Sequence, residues 1–289
     1  MSDAAGKRKK LIRLFFRCRR EVGCMNDNII GNTADEGIAM VEKDHVYEVE
    51  IEVSDLDENS LLKPYAYQAL FARLAEKHLN LLNLNVGMTL THNLAWALVS
   101  MSLEFPRPVT NCMTLFATTW HSQRKGPYFR RELVFRNAES DVMFHGSTFS
   151  VLLDMEKRSV YRRKELPFPI HDPIEEYTIE AFPTVRNNSA YERTEQRTVR
   201  NSHMDPLGHV NNCRYGEFAH DALSEDECRE LNHLCRMDIH FVSELRKGDS
   251  FSIWKAHEVT GKSNRILIRG RNDGTDIVSF DVMLTFSSK

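Results

Sequence analysis

From residue 44 onward the sequence runs twice through one order of elements, and this repeat limits the folds open to the chain. In the first pass HVYEVEIEV (45–53) alternates apolar and polar residues like a half-buried strand. A turn-rich stretch, SDLDENSLLKP, leads to Pro64, a residue suited to the first turn of a helix because its missing N–H has no partner to lose there. In YAYQALFARLAEKHLNLLNL, Leu70, Phe71, Leu74, Leu81 and Leu82 fall mostly at three- and four-residue steps, which predicts a helix over 64–84 with one buried stripe. Four strand-like runs follow: LAWALVSMSLEF, MTLFATTWHSQ, YFRRELVFRN and VMFHGSTFSVLLD. The second pass reads YERTEQRTV as a strand, RNSHMDPLGHVNN as a connection and CRYGEFAHDAL as a shorter helix, then CRMDIHFV, SFSIWKAHEV, RILIRGRN and IVSFDVMLTF as strands. SDLD matches SHMD, LEFPRP matches IHFVSE, FRN matches GRN, and Trp120 and Trp254 occupy similar strands. The repeat predicts two units, 44–154 and 190–289, joined by a Pro- and charge-rich segment over 155–189. Antiparallel strands with one helix per unit make an α+β fold in which the helix covers one sheet face.

Bulk properties remove several function classes. No apolar run approaches the ~18 residues of an integral membrane segment. The six cysteines, at positions 18, 24, 112, 213, 228 and 235, form no CxxC pair, so they frame neither a zinc site nor a disulfide scaffold and suit a reducing, cytoplasmic compartment. Residues 1–43 stand apart through KRKKLIRLFFRCRR (7–20). This stretch reads as a disordered basic arm or as sequence upstream of a start at Met25. It also has the character of a membrane-surface helix or a targeting segment, the one route to a plastid location. Nothing later in the chain supports nucleic-acid binding.

The densest chemistry is MDPLGHVNNCRY (204–215), where an acid, a glycine, a histidine and two asparagines precede a helix. Hydrolysis of an acyl bond needs an activated water, stabilisation of the oxyanion and an outlet for the leaving group. Asp205 and Glu244, in HFVSELRKGDS, are candidate bases, and His209 can orient a water or shuttle a proton. Gly208 permits a tight turn, and the backbone N–H groups of Gly208, Val210 and Asn211 would meet a carbonyl at the positive end of the helix. Plainer roles exist for each residue: Asp205 as an Asx-type cap, His209 as a buried histidine, Asn211 and Asn212 as cap and turn residues, Glu244 as a solvated charge. A metal site of His203, Asp205 and His209 lacks an evident fourth ligand. Cys213, one turn beyond His209, invites a Cys–His reading but fits a small buried hydrophobe. The first repeat has Asp57 at the place of Asp205, Leu61 at that of His209 and Pro108 at that of Glu244, so one site per chain is expected.

At DPLGHVNNCRY, and in the order of elements after about residue 44, the sequence resembles the acyl-acyl carrier protein thioesterases. The resemblance implies two tandem hotdog units, each a long helix wrapped by a curved antiparallel sheet. It places the family's catalytic Asp on Asp205, its His on His209 and its Glu on Glu244. The family's Asn falls on Leu207, a departure, and the position that carries Cys in some members is Leu245. The implied reaction is release of a free fatty acid from acyl-acyl carrier protein, with no metal or organic cofactor. The first unit would shape the acyl pocket, with Leu70, Phe71, Leu74 and Trp96 as wall candidates. Basic residues Arg124, Lys125, Arg130, Arg131, Lys157, Arg158, Arg162, Arg163 and Lys164 would steer the acidic carrier. An acyl-coenzyme A thioesterase of the same fold and a non-catalytic acyl-binding protein are the alternatives. A chain with two units is a pseudo-dimer and could remain a monomer or pair into a homodimer.

Overall fold

The computed structural model describes residues 43–184, 189–205, 208–260 and 263–287; the basic segment over 1–42 and Leu207 lie outside them. The first half runs β1 (Tyr47–Glu50), α1 (Pro64–Leu81), α2 (Val86–Thr91), β2 (Leu94–Glu104), β3 (Thr114–Lys125), β4 (Tyr128–Arg136), β5 (Val142–Asp154) and the two-residue β6 (Ser159–Val160). The second half runs β7 (Glu192–Thr198), α3 (Asn212–Asp221), α4 (Glu225–Arg229), β8 (Leu234–Phe241), β9 (Ser250–Thr260), β10 (Ser263–Asn272) and β11 (Val278–Ser287). The fold is α+β, with antiparallel pairing between the strands.

One sheet holds both halves, in the order β1-β3-β4-β5-β2-β8-β11-β10-β9-β7. The order is a palindrome of the repeat, because β2 pairs with β8 at the centre. There Met101 pairs with Ile239, Ser102 with Asp238 and Leu103 with Met237. Met101 and Met237 are repeat equivalents, as are Leu103 and Ile239, so a pseudo-twofold axis passes between Ser102 and Asp238. The helices obey the same symmetry. α1 and α3 pack together where Gln68 of one meets Gly216, its equivalent, of the other. A Cβ on Gly216 would stand 1.9 Å from Gln68 Oε1, so the approach depends on glycine.

The core lies between the two helices and one face of the sheet. Tyr67 of α1 packs edge-on to Phe144, which stacks on Phe135 at 4.2 Å. Phe218 of α3 meets Phe251 and Tyr215 meets Phe280, each at 4.9 Å. Burial of such rings supplies most of the driving force for association of helix and sheet.

The opposite face of the first half is covered too, and this explains why β3 to β5 show long buried runs rather than alternation. The connecting segment lies flat on it as a strap. Glu132, fully buried, receives Arg130 Nε at 2.6 Å, Ser147 Oγ at 2.5 Å and Thr178 Oγ1 at 2.6 Å. Arg130 Nη2 donates to Ile179 O at 2.6 Å, and Trp120 Nε1 to Glu176 O at 3.1 Å. Beyond the seam, Arg236 Nη2 donates to Glu180 O at 2.8 Å, so the strap touches both halves. Arg130 is therefore no part of a basic surface, and Arg131 is only half-exposed; the exposed cations of that expected cluster include Arg162, Arg163 and Lys164.

Local differences from the sequence reading have local causes. The first strand is only four residues long because the chain enters a short turn at Val53–Asp55. The helix expected over 64–84 stops at Leu81, with Asn83 at φ 56°. α2 begins where Asn85 Oδ1 accepts the Met88 N–H at 3.0 Å, a cap that the sequence offers openly. Likewise α4 starts in a capping box of Ser224 and Glu227.

The buried Arg130–Glu132 pair generates a stability prediction. Glu132→Ala would leave a buried guanidinium unpaired and should cost about 3–5 kcal/mol. The paired change Arg130→Met with Glu132→Leu should cost less than the single one. Chemical denaturation of both variants checks the order; equal stability of wild type and Glu132→Ala refutes it.

Candidate functional site

Asp205 closes a small loop on itself. Its N–H donates to His209 O at 2.9 Å, and its Oδ1 accepts the His209 N–H at 3.2 Å. Gly208 N–H returns to Asp205 O at 3.1 Å, with Gly208 at φ +83°, the left-handed conformation expected of it. The loop thus delivers His209 immediately before α3.

The next residue ties the loop to the strand end that carries Glu244. Val210 N–H donates to Leu245 O at 3.0 Å, while Leu245 N–H donates to Tyr215 Oη at 3.4 Å. The Leu245 side chain is wholly buried. Held on both sides of its backbone, Leu245 fixes the position of Glu244 before it. His209 Nε2 then lies 3.2 Å from Glu244 Oε2, with both side chains partly open to solvent. Arg246 Nη2 approaches the same oxygen at 3.4 Å. Burial pushes the Tyr215 phenol up to about 12, so it stays a neutral hydroxyl at the foot of the site.

Asn211 caps α3, its Oδ1 accepting the Cys213 N–H at 2.9 Å. Its own N–H donates to His203 O at 2.8 Å. The oxyanion role expected of the Gly208, Val210 and Asn211 amides is therefore corrected. Gly208 and Asn211 donate within the segment 203–211 and Val210 donates to Leu245 O, because the helix proper begins one residue later, at Asn212. Burial pushes the Cys213 thiol up to about 11, against a nucleophilic Cys–His pair. His203 accepts the Arg200 N–H at Nδ1 (3.0 Å) and packs edge-on to Phe218 at 5.0 Å. Among the described residues no three His, Cys, Asp or Glu side chains gather into a group that could hold a metal ion.

The first repeat reproduces the scaffold without the chemistry. Asp57 N–H donates to Leu61 O at 2.8 Å, and Asp57 Oδ1 accepts the Leu61 N–H at 2.9 Å. The bridge Met204–Val210 recurs as Leu56–Leu62, and Val210→Leu245 recurs as Leu62 N–H to Val109 O at 3.0 Å. At the place of the His209–Glu244 pair stand Leu61 and Pro108, which instead line a small, mostly apolar depression with Tyr67 and Phe105.

The pocket candidates divide. Leu70, Phe71 and Leu74 are buried in the main core. Trp96 belongs to a second cluster, with Leu84, Leu94, Phe129 and Leu152, and its Nε1 donates to Leu84 O at 3.3 Å. The backbone grip on Leu245 is absent from the sequence reading, although Tyr67 and Tyr215, one in each repeat, carry its signal.

Comparison with known proteins follows the same halves. The description of the acyl-ACP thioesterase N-terminal domain matches residues 42–165, and that of the C-terminal domain matches residues 187–284. No curated protein sequence matches the chain. Among solved structures, an acyl-ACP thioesterase from Bacteroides thetaiotaomicron is 16% identical with a TM-score of 0.70, covering 84% of this chain and 97% of its own. The 12:0-ACP thioesterase from Umbellularia californica is 12% identical with a TM-score of 0.66, covering 84% and 94%. A MaoC-like dehydratase from Phytophthora capsici, 15% identical with a TM-score of 0.55 and covering 88% and 99%, shares the fold with a different chemistry in its name. With both of its halves matched by the two domains of one family, the chain belongs to the acyl-ACP thioesterases and is a thioester hydrolase of fatty acyl-ACP.

Proposed function

We propose that His209 and Glu244 are the reacting pair of this hydrolase and that Asp205 holds the loop presenting them. The observation that carries the reading is the 3.2 Å approach of His209 to Glu244, set on a scaffold that the first repeat shares but leaves apolar. Asp57 makes the same loop-closing contacts as Asp205, so loop closure is the part that both repeats keep. A proton on His209 Nε2 faces Glu244, which leaves Nδ1 as the acceptor. The imidazole takes a proton from water as the water oxygen attacks the thioester carbonyl carbon. The tetrahedral intermediate collapses with loss of the C–S bond, and the imidazolium returns its proton to the leaving sulfur. The products are a fatty acid and the carrier thiol. As the first amide of α3, the Asn212 N–H has no intrahelical acceptor and is the backbone donor we assign to the developing oxyanion.

We further read each half as a hotdog unit, 44–154 and 190–289, with the second catalytic and the first receiving the acyl chain. Support comes from the longer α1. Gln68 Nε2 of α1 donates to the carbonyl of Asn212, the first residue of α3, at 3.3 Å, and α1 continues for more than three turns beyond Gln68, with Leu74 on that extension. The exposed Arg162, Arg163 and Lys164 offer an acidic carrier a landing surface.

Three outcomes follow. His209→Ala and Glu244→Ala should each lower kcat/KM on acyl-ACP by 10²-fold or more. Asp205→Ala should lose activity and also about 1 kcal/mol of stability as its loop-closing hydrogen bond is removed, whereas Asp57→Ala should keep its activity. Full activity in both the His209 and Glu244 variants would refute the pair; parallel assays on acyl-ACP and acyl-coenzyme A identify the carrier.

Cys213→Ser should remain active, and alkylation at pH 8 should be slow, since roughly one thiol in a thousand is ionised there. Rapid inactivation by an alkylating reagent at this residue would count against that view.

Leu74→Trp should shorten the preferred acyl chain, each excluded methylene being worth about 0.8 kcal/mol. A fall in thermal midpoint with an unchanged product profile would place Leu74 in plain core.

A further inference from the structure

An open cleft lies between the segment that leads into the Asp205 loop and the turn that follows Glu244, and the residues that charge it are replaced in the other repeat. One wall is the segment that leads into Asp205, with Arg200, Asn201 and Ser202; the other is the turn that follows Glu244, with Lys247 and Gly248. The walls are joined backbone to backbone. Val199 N–H donates to Asp249 O at 2.9 Å, and Gly248 N–H donates to Val199 O at 3.3 Å. Arg200 and Lys247 are both exposed and, among the described residues, form no ion pair. Their neighbours differ: Arg197 pairs with Glu195 and Asp221, Arg214 with Glu217, and Arg246 with Glu244.

The first repeat supplies an internal comparison. Ile51 N–H donates to Met113 O at 2.9 Å, the equivalent of Val199 to Asp249, so the backbone on either side of these bonds aligns between the repeats. Arg200 is matched by Glu52 and Lys247 by Asn111. Two exposed cations thus stand in the repeat that holds His209 and Glu244, where a carboxylate and an amide stand at the equivalent positions of the other. A solvated face has no reason to follow the chemistry in this way.

We propose that Arg200 and Lys247, with the Ser202 hydroxyl and the Asn201 amide, bind the phosphodiester of the pantetheine arm on which the thioester hangs. The site takes the arm rather than the acidic surface of the carrier protein. Both cations sit on backbone that is continuous with the catalytic loop and the Glu244 turn, so an anion held there sets the approach of the sulfur to His209. This assignment rests on the thioesterase reading.

The test uses one acyl group on pantetheine, which lacks the phosphate, and on 4′-phosphopantetheine, coenzyme A and carrier protein. In the full-length protein, kcat/KM for the phosphopantetheine ester should exceed that for the pantetheine ester by about tenfold, the discrimination expected of a charge-assisted contact. In Arg200→Gln/Lys247→Gln this ratio should fall to within about twofold of unity, mainly through KM. Inhibition by free 4′-phosphopantetheine should weaken in parallel, which gives a second measurement on a variant whose thermal midpoint is checked beside it. An unchanged ratio in the double variant overturns the assignment. So does a loss confined to the carrier-protein substrate, which would make the cleft a protein-docking surface. Absence of hydrolysis of all four esters by wild type would instead overturn the thioesterase reading itself.

Discussion

The antiparallel pairing of β2 with β8 is the contact on which the molecule is organised. Five backbone pairs, from Ser100–His240 to Glu104–Arg236, turn two half-sheets into one and set the axis that relates them. With the axis fixed, α1 and α3 must cross at equivalent positions, and Gly216 must be small because Gln68 is there. The seam also sets the direction of β2. Its start lies toward the end of the sheet where β8 finishes and Glu244 follows, so residues of the first half lie on the same side of the sheet seam as the Glu244 turn.

Much of this was legible because duplication writes the same constraint twice. Asp57 and Asp205 announce the same loop, and Tyr67 and Tyr215 the same grip on the backbone of Val109 and Leu245. A single copy of SHMDPLGHVNN could be a cap and a turn; the second copy, stripped to Leu61 and Pro108, isolates the two side chains that scaffold needs cannot explain. The strands were readable from apolar runs, although the apolar–polar alternation in β3 to β5 is masked by the strap on their outer face.

What escaped the sequence was mostly backbone. Which amides the Asp205 loop consumes depends partly on the connection after β8, at Leu245, and side-chain identity carries no sign of it. The buried role of Arg130 was hidden for a similar reason. A guanidinium beside Arg131 looks like surface charge until Glu132, Ser147 and the Ile179 carbonyl surround it. Charged residues are informative about a surface only once their partners are known.

The two outer strands give the sheet unlike ends to its middle. β1 offers only four residues to any further strand, and β7 (ERTEQRT) presents alternating acids and bases along its length. Short and charged edges are poor templates for strand addition. The remaining edges of each half, β2 and β8, which alternate buried apolar and polar residues, are spent on each other. Separated, each half would expose a buried ladder with Met101, Leu103, Met237 and Ile239 on it, the kind of surface that nucleates aggregation. Covalent tandem linkage therefore does for this protein what tight self-association does for a single unit: it keeps the most adhesive strand of each half permanently occupied, at any concentration in the cell.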